Sequence, residues 1–249
     1  MKKTIAYLII IIALFLGIIT NLNAQDPNNP TKVLCMGDSR VGTGDIMNWF
    51  RPYPKSYPAE LQKLLGDGYD VRQFGQGGTA VTLGHPRAIW TSKNGQRSDI
   101  FQNAINVQTF ESIFEQAFPG QDFAIAKWIA IINYGTNDAS NTTWQQSKPN
   151  FQNSYITFIN MFKGEKIIAL PQPTFGVGEQ YIKNSNIVEL LSIVKSISDE
   201  TGAKITDFNT EVIERMASVD GLHFPPEEGG NKLFAKRAYQ TIKGVESPE

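Results

Sequence analysis

Short runs of strand-forming apolar residues alternate along this chain with longer stretches in which apolar residues recur at helical spacing. Lys32 to Met36 is the first such run, and it breaks off in Gly37-Asp38-Ser39, with glycines again at Gly42 and Gly44. Tyr57, Leu61, Leu64 and Leu65 predict a helix, which Gly66-Asp67-Gly68 stops. Tyr69 to Phe74 reads as a second strand and ends in Gly75-Gln76-Gly77-Gly78-Thr79. Residues 80 to 104 show no clear period; His85-Pro86-Arg87, Trp90 and Lys93-Asn94-Gly95 suggest an irregular surface segment. Phe110, Ile113, Phe114 and Ala117 then share one helix face. Trp128 to Asn133 is almost continuously apolar, as a central strand buried on both faces must be, and it ends in Tyr134-Gly135-Thr136-Asn137-Asp138.

In the second half, Phe151, Tyr155, Phe158, Ile159 and Phe162 mark a helix, and Ile167 to Leu170 a fourth strand before Pro171-Gln172-Pro173. Ile187, Leu190, Leu191, Val194 and Ile197 form a helical stripe closed by Gly202. Lys204 to Phe208 is a short fifth strand, followed by a helical stretch around Val212 to Ala217. The loop Asp220-Gly221-Leu222-His223 and a helix carrying Leu233, Phe234 and Ala238 close the chain. Strands alternating with helices over this length predict an α/β fold, a parallel sheet covered on both faces. The apolar stripes are its core.

Composition narrows the picture. The 249 residues are 41% hydrophobic and 19% charged, which suits one globular domain. Met1-Lys2-Lys3 followed by the uncharged run Ile5 to Ile19 has the form of a secretory signal peptide. The expected organisation is therefore a leader over residues 1–24, with cleavage after Leu22-Asn23-Ala24, and a single domain over residues 25–249. The expected location is outside the cytoplasm, periplasmic or secreted; an uncleaved leader would instead anchor the chain to a membrane. The 23 Lys and Arg less the two at positions 2 and 3 leave 21 against 24 Asp and Glu, net −3. That balance argues against nucleic acid or an anionic membrane surface as partner. Cys35 is the only cysteine, so no internal disulfide or cysteine-based zinc site is expected, and within a strand it reads as a small packed hydrophobe. Histidine-dependent chemistry has only His85 and His223 to draw on.

In a parallel sheet the strand carboxyl ends share one edge, so Ser39, the Gly75–Gly78 turn and Asn137 converge. Acyl transfer needs a nucleophile, a base with an orienting acid, and donors aimed at the developing oxyanion. Ser39 can attack. The N–H groups of Ser39 and Gly78 and the side-chain amide of Asn137 can donate. Asp220 and His223 stand three residues apart in a tight loop, so the carboxylate can reach one imidazole nitrogen and leave the other for the serine proton. Taken singly, each has a plainer reading: Ser39 as a helix N-cap, the glycines as a turn, Asn137-Asp138 as a cap on the next helix. His85, beside Pro86 in a polar loop, is expected at the surface.

Gly37-Asp38-Ser39, Gly75-Gln76-Gly77-Gly78-Thr79, Gly135-Thr136-Asn137-Asp138 and Asp220-Gly221-Leu222-His223 together resemble, in order and spacing, the four blocks of the SGNH (GDSL-type) hydrolase family of esterases. The resemblance runs from about Lys32 to the last helix. It implies a flavodoxin-like three-layer α/β/α fold with a five-stranded parallel sheet, and a serine esterase without metal or other cofactor. By match to the blocks, Ser39 would be the nucleophile, Asp220 and His223 would complete the triad, and Ser39 N–H, Gly78 and Asn137 would form the oxyanion hole. Two positions depart from the family pattern. Arg40 stands where Leu or Ile is usual, to bind a carboxylate or hydroxyl-rich substrate or, slightly preferred, to point into solvent; Gly77 stands where serine is common. Trp90, Trp144, Pro171-Gln172-Pro173 and the long segment Val81 to Ala104 most resemble esterases that deacetylate carbohydrates, with Trp90 and Trp144 stacking on sugar rings or simply packing. The expected substrate is thus an acetylated saccharide or other small ester, with no nucleic acid and no stable membrane partner. The alternatives are a lysophospholipase or thioesterase on the same triad, and a non-catalytic carbohydrate-binding module.

Overall fold

The structure is a computed structural model and describes residues 29–41, 54–75, 77–83, 85, 110–212, 214–216, 220–225 and 229–245. The leader segment with its cleavage site, the Gly42 and Gly44 turn, and Trp90 lie outside the described residues. Five described strands form one parallel sheet in the order β2-β1-β3-β4-β5: β1 Thr31–Gly37, β2 Tyr69–Gly75, β3 Trp128–Asn133, β4 Glu165–Ala169 and β5 Lys204–Thr206. The helices among them are α1 Tyr57–Leu65, α2 Phe110–Ala117, α3 Trp144–Asn160, α4 Asn184–Thr201 and α5 Gly230–Lys243.

The alternation along each strand decides which helices cover which face. Val33 and Cys35 of β1, with Ile129 and Ile131 of β3, pack in one cluster with Tyr57 and Leu61 of α1 and Phe234 and Ala238 of α5. Leu34 and Met36, with Ala130 and Ile132, pack in the other with Phe114 of α2, Phe158 of α3 and Val194 of α4. Three layers result, the sheet in the middle, as the periodicity predicts. β1 and β3 are buried along their whole length because they are inner strands covered from both sides. Cys35 is fully buried there; burial pushes its thiol up to about 12, which suits a packed hydrophobe rather than a nucleophile.

The elements end where local chemistry says they should, with two exceptions. Ser56 caps α1 by accepting from Ala59 N at 3.4 Å, and Gly202 closes α4 in the left-handed region at φ 67°. α3, however, starts at Trp144, ahead of the stripe that begins at Phe151, and carries Pro149 within it. A proline near the start of a helix gives up one backbone bond, which burial of Trp144 and Phe151 outweighs. The stretch around Val212 to Ala217 contributes only a 3₁₀ turn, Glu214–Met216, among the described residues.

Candidate active site

β1 runs into a crowded turn. A side chain at Gly37 would collide with the backbone carbonyl of Asn133 on neighbouring β3, so only glycine lets the two strand ends lie this close. The next residue, Asp38, folds back: its Oδ1 accepts from Arg40 N at 2.9 Å, and this local turn leaves Ser39 half-buried at the carboxyl edge of the sheet. Ser39 Oγ lies 2.7 Å from His223 Nε2 although the two are 184 positions apart in the chain. His223 Nδ1 lies 2.6 Å from Asp220 Oδ2, and the other oxygen of that carboxylate accepts from Leu222 N at 2.9 Å and His223 N at 3.0 Å. The Asp-Gly-x-His loop therefore holds its own carboxylate by two backbone N–H groups before offering it to the imidazole. Such an arrangement fixes the imidazole with Nδ1 protonated and leaves Nε2 to accept the hydroxyl proton.

The donors predicted opposite this pair are brought to the same edge. The N–H groups of Ser39 and Gly78 have no hydrogen-bond acceptor among the described residues, and Gly78 sits at φ 74°, a conformation that suits glycine. Asn137 follows β3, and its Nδ2 donates to Thr79 O at 2.9 Å and to Asp38 Oδ2 at 3.2 Å. It thus ties the ends of β1, β2 and β3 together, and would serve an oxyanion by giving up or sharing the longer of these bonds.

Two buried carboxylates hold this corner. Asp138 does not cap the helix that follows; its carboxylate reaches back across the sheet edge and accepts from Val81 N at 3.1 Å, Thr82 N at 2.8 Å and Thr82 Oγ1 at 2.6 Å. That clamp pins the segment after the glycine block against the loop after β3. Burial raises Asp138 above the ordinary carboxylate range, against the pull of the Thr82 hydroxyl and the two N–H groups. Burial likewise raises Asp38, against the Arg40 charge and N–H.

Arg40 corrects its expectation. It is 8% exposed and turned inward, where Nη1 donates to Gln172 O at 3.1 Å and to Gln172 Oε1, so it is neither directed into solvent nor laid out for substrate. Burial lowers the guanidinium to about 10, offset by the charges of Asp38 and Asp220. The Pro171-Gln172-Pro173 stretch is thereby the acceptor for an internal cation beneath the serine and the Asp-His loop. Trp144 is also corrected as a sugar platform: it is 1% exposed, packed against Phe151, with Nε1 donating to Glu189 Oε2 at 2.8 Å. His85 is buried rather than at the surface, and its Nε2 lies 3.0 Å from Thr143 Oγ1.

A residue that sequence reasoning missed organises the far wall. Asn141 Nδ2 donates to Glu179 O at 3.1 Å and Gln180 O at 3.0 Å, its N–H donates to Tyr181 O, and its Oδ1 accepts from Lys183 N. These bonds fasten the 3₁₀ turn Gly176–Gln180 to the loop after β3. The same turn is stitched to the Asp-His loop: Phe175 N donates to Gly221 O at 3.0 Å, and a β-carbon on Gly178 or Gly221 would collide with the opposing backbone. Between turn and loop lies a cavity of about 440 Å³ that Asn137 and Leu222 border. No group of three or more metal-ligating side chains occurs among the described residues, and no helix among them is long and apolar enough to cross a membrane.

No protein-family model matches the chain. It is 24% identical to an acetylxylan esterase of Xylanibacter ruminicola, a similarity that covers 85% of this chain but 43% of that protein, so the chain spans less than half of its relative's length. Its fold is that of a carbohydrate acetylesterase from Sinorhizobium meliloti (TM-score 0.59, 16% identity, 86% of this chain and 99% of that one). The aryl esterase of M. smegmatis superposes equally well (TM-score 0.60, 15% identity, 86% and 99%). So does a member of the lipolytic G-D-S-L family from Veillonella parvula (TM-score 0.57, 16% identity, 86% and 100%). The four sequence blocks thus stand in order along a three-layer α/β fold that the chain shares with these solved esterases.

Proposed function

We propose that this chain is an exported serine esterase that removes acetyl groups from a carbohydrate. The observation that carries the reading is the contact of Ser39 Oγ with His223 Nε2 at 2.7 Å, with Asp220 Oδ2 on the opposite ring nitrogen. In the first half-reaction His223 Nε2 takes the hydroxyl proton as Ser39 Oγ bonds to the ester carbonyl carbon. The carbonyl oxygen becomes an oxyanion received by Ser39 N–H, Gly78 N–H and Asn137 Nδ2. Collapse breaks the bond to the alcohol oxygen, which leaves with the proton held on Nε2, and Ser39 keeps the acetyl group. Water then repeats the sequence with His223 as base and then acid, which releases acetate and restores the hydroxyl. Asp220 keeps Nδ1 protonated throughout. Arg40 and Gln172 hold the floor of the site and touch no reacting atom.

The acetyl-carbohydrate half of the reading is supported by the names of the acetylxylan esterase and of the Sinorhizobium acetylesterase, and by a cavity with hydroxyl and amide groups in its wall that Asn137 and Leu222 border. Export rests on the leader pattern of residues 1–24. Covalent labelling with a fluorophosphonate, wild type against Ser39→Ala, tests the nucleophile: a label that is absent from wild type, or that survives the substitution, overturns it. Comparing an acetylated glycoside with long-chain acyl glycerophosphates and thioesters then tests the substrate class. Preference for the long acyl chains would favour the lysophospholipase or thioesterase alternative.

A further inference from the structure

The cavity beside Asn137 and Leu222 is open, about 440 Å³, within the range of about 300–1,000 Å³ that small-molecule sites occupy. Its position relative to the serine is informative. Leu222 immediately precedes His223, whose Nε2 must reach the departing alcohol oxygen, and Asn137 stands on the oxyanion side. The cavity borders Asn137 and the residue before His223, so a part of the substrate that extends from the ester can enter it. The walls suit a neutral polyol. Ser140, Thr142, Thr143 and Gln180 bring hydroxyl and amide groups and His85 an imidazole, beside apolar Ile182 and Leu222; among the described residues no carboxylate, lysine or arginine borders the space, and one phenol ring, Tyr181, is 61% exposed at its edge. Exposed aromatic rings are normally costly to leave in water, and a ring over a polar cleft offers a face to the apolar C–H side of a sugar. The wall is also built to stay in place, since Asn141 fastens the backbone of residues 179, 180 and 181 with three hydrogen bonds.

We infer that this cavity is the subsite for the sugar ring that carries the acetyl group, that Tyr181 is its stacking surface, and that Gln180 with the Ser140–Thr143 hydroxyls reads the ring's hydroxyls. The inference rests on the esterase reading above and gives the substrate's alcohol half a place. Tyr181 takes the part that sequence reasoning gave to Trp144. Its role concerns specificity; it contacts the substrate away from the reacting atoms.

The test uses the full-length protein and two acetyl esters, an O-acetylated pyranoside and vinyl acetate, whose alcohol half is too small to reach Tyr181. Tyr181→Ala is expected to lower kcat/KM on the pyranoside about tenfold, chiefly through KM, and to leave vinyl acetate within about twofold. Tyr181→Trp should retain the pyranoside activity, because it keeps a ring face. Gln180→Ala should act on the pyranoside alone and more weakly. Equal losses on both esters, or no loss on either, overturns the subsite. Wild type that hydrolyses vinyl acetate but not the acetylated pyranoside also overturns it and leaves the serine esterase standing. Wild type that hydrolyses neither and takes no fluorophosphonate label removes both.

Discussion

The two sides of the candidate site are held by opposite means. On the side of Ser39 and Asn137, dehydrated carboxylates clamp three strand ends: Asp38 and Asp138 are buried, and each accepts several N–H or O–H groups. On the side of His223 the side chains of the Asp220–His223 pair are 47% and 42% exposed, and what holds them is main chain pressed against main chain at Gly178 and Gly221. On the proposed esterase reading, the contrast follows from what each side would have to do. Oxyanion donors work only if fixed in advance, which buried, fully bonded anchors achieve. A proton-carrying imidazole needs water at hand and a carboxylate at one nitrogen, and a short glycine-bearing loop supplies both at little burial cost.

The comparison can be broken at either side. Removing the hydroxyl or the imidazole should be the most damaging: Ser39→Ala or His223→Ala is expected to lower kcat on an acetyl ester by about 10⁴-fold or more, with the thermal unfolding profile unchanged. Asn137→Ala should cost on the order of 10²–10³ in kcat, with KM little altered, if the amide serves the oxyanion; a change below about threefold would confine Asn137 to tying the strand ends. Gly221→Ala should strike the exposed side alone. Its φ of 66° and the approach of Phe175 O leave no room for a β-carbon, so roughly 1–3 kcal/mol of stability should be lost together with activity, read by denaturant melts and steady-state rates. Asp138→Ala removes the acceptor of the Val81 and Thr82 N–H groups and of the Thr82 hydroxyl and should cost about 1–3 kcal/mol.

The smallest expected effect is a pH signature. Burial raises Asp38 in the folded state, so the native protein binds that proton more readily than the unfolded chain. The favourable contribution is complete below the ordinary carboxylate value and is lost as pH rises through the folded-state value. The stability of wild type relative to Asp38→Asn should therefore be greatest in acid and decline towards neutrality, as thermal melts across that range would register. A difference that grew with pH would mean that the Arg40 charge outweighs burial at this carboxylate.

How much of this was legible beforehand differs by kind of contact. Ser39, Gly78, Asn137 and the Asp220–His223 loop were readable because strand ends, glycine turns and a three-residue spacing are local, and a parallel sheet delivers them to one edge without further information. Arg40 was misread as outward because a charged residue is usually solvated, and its acceptor, Gln172, lies 132 positions away. Asp138 looked like a helix cap because its true acceptor role depends on Val81 and Thr82, across the sheet edge. Trp144 was given a sugar-stacking part by the family resemblance, with packing as its alternative, and His85 was placed by the polar loop around it; packing against Phe151 buries the first, and the second is buried with its Nε2 on Thr143.

The order of the strands and helices, the edge on which the candidate site gathers and the residues that meet there were thus determined by the sequence itself, through periodicity and turn chemistry that act over a few residues. Which charges are buried, which aromatic ring faces the cleft and what holds the Asn141–Tyr181 wall were decided by the tertiary structure alone. Desolvation and close packing depend on residues distant in the chain, and no local pattern encodes which of them will meet.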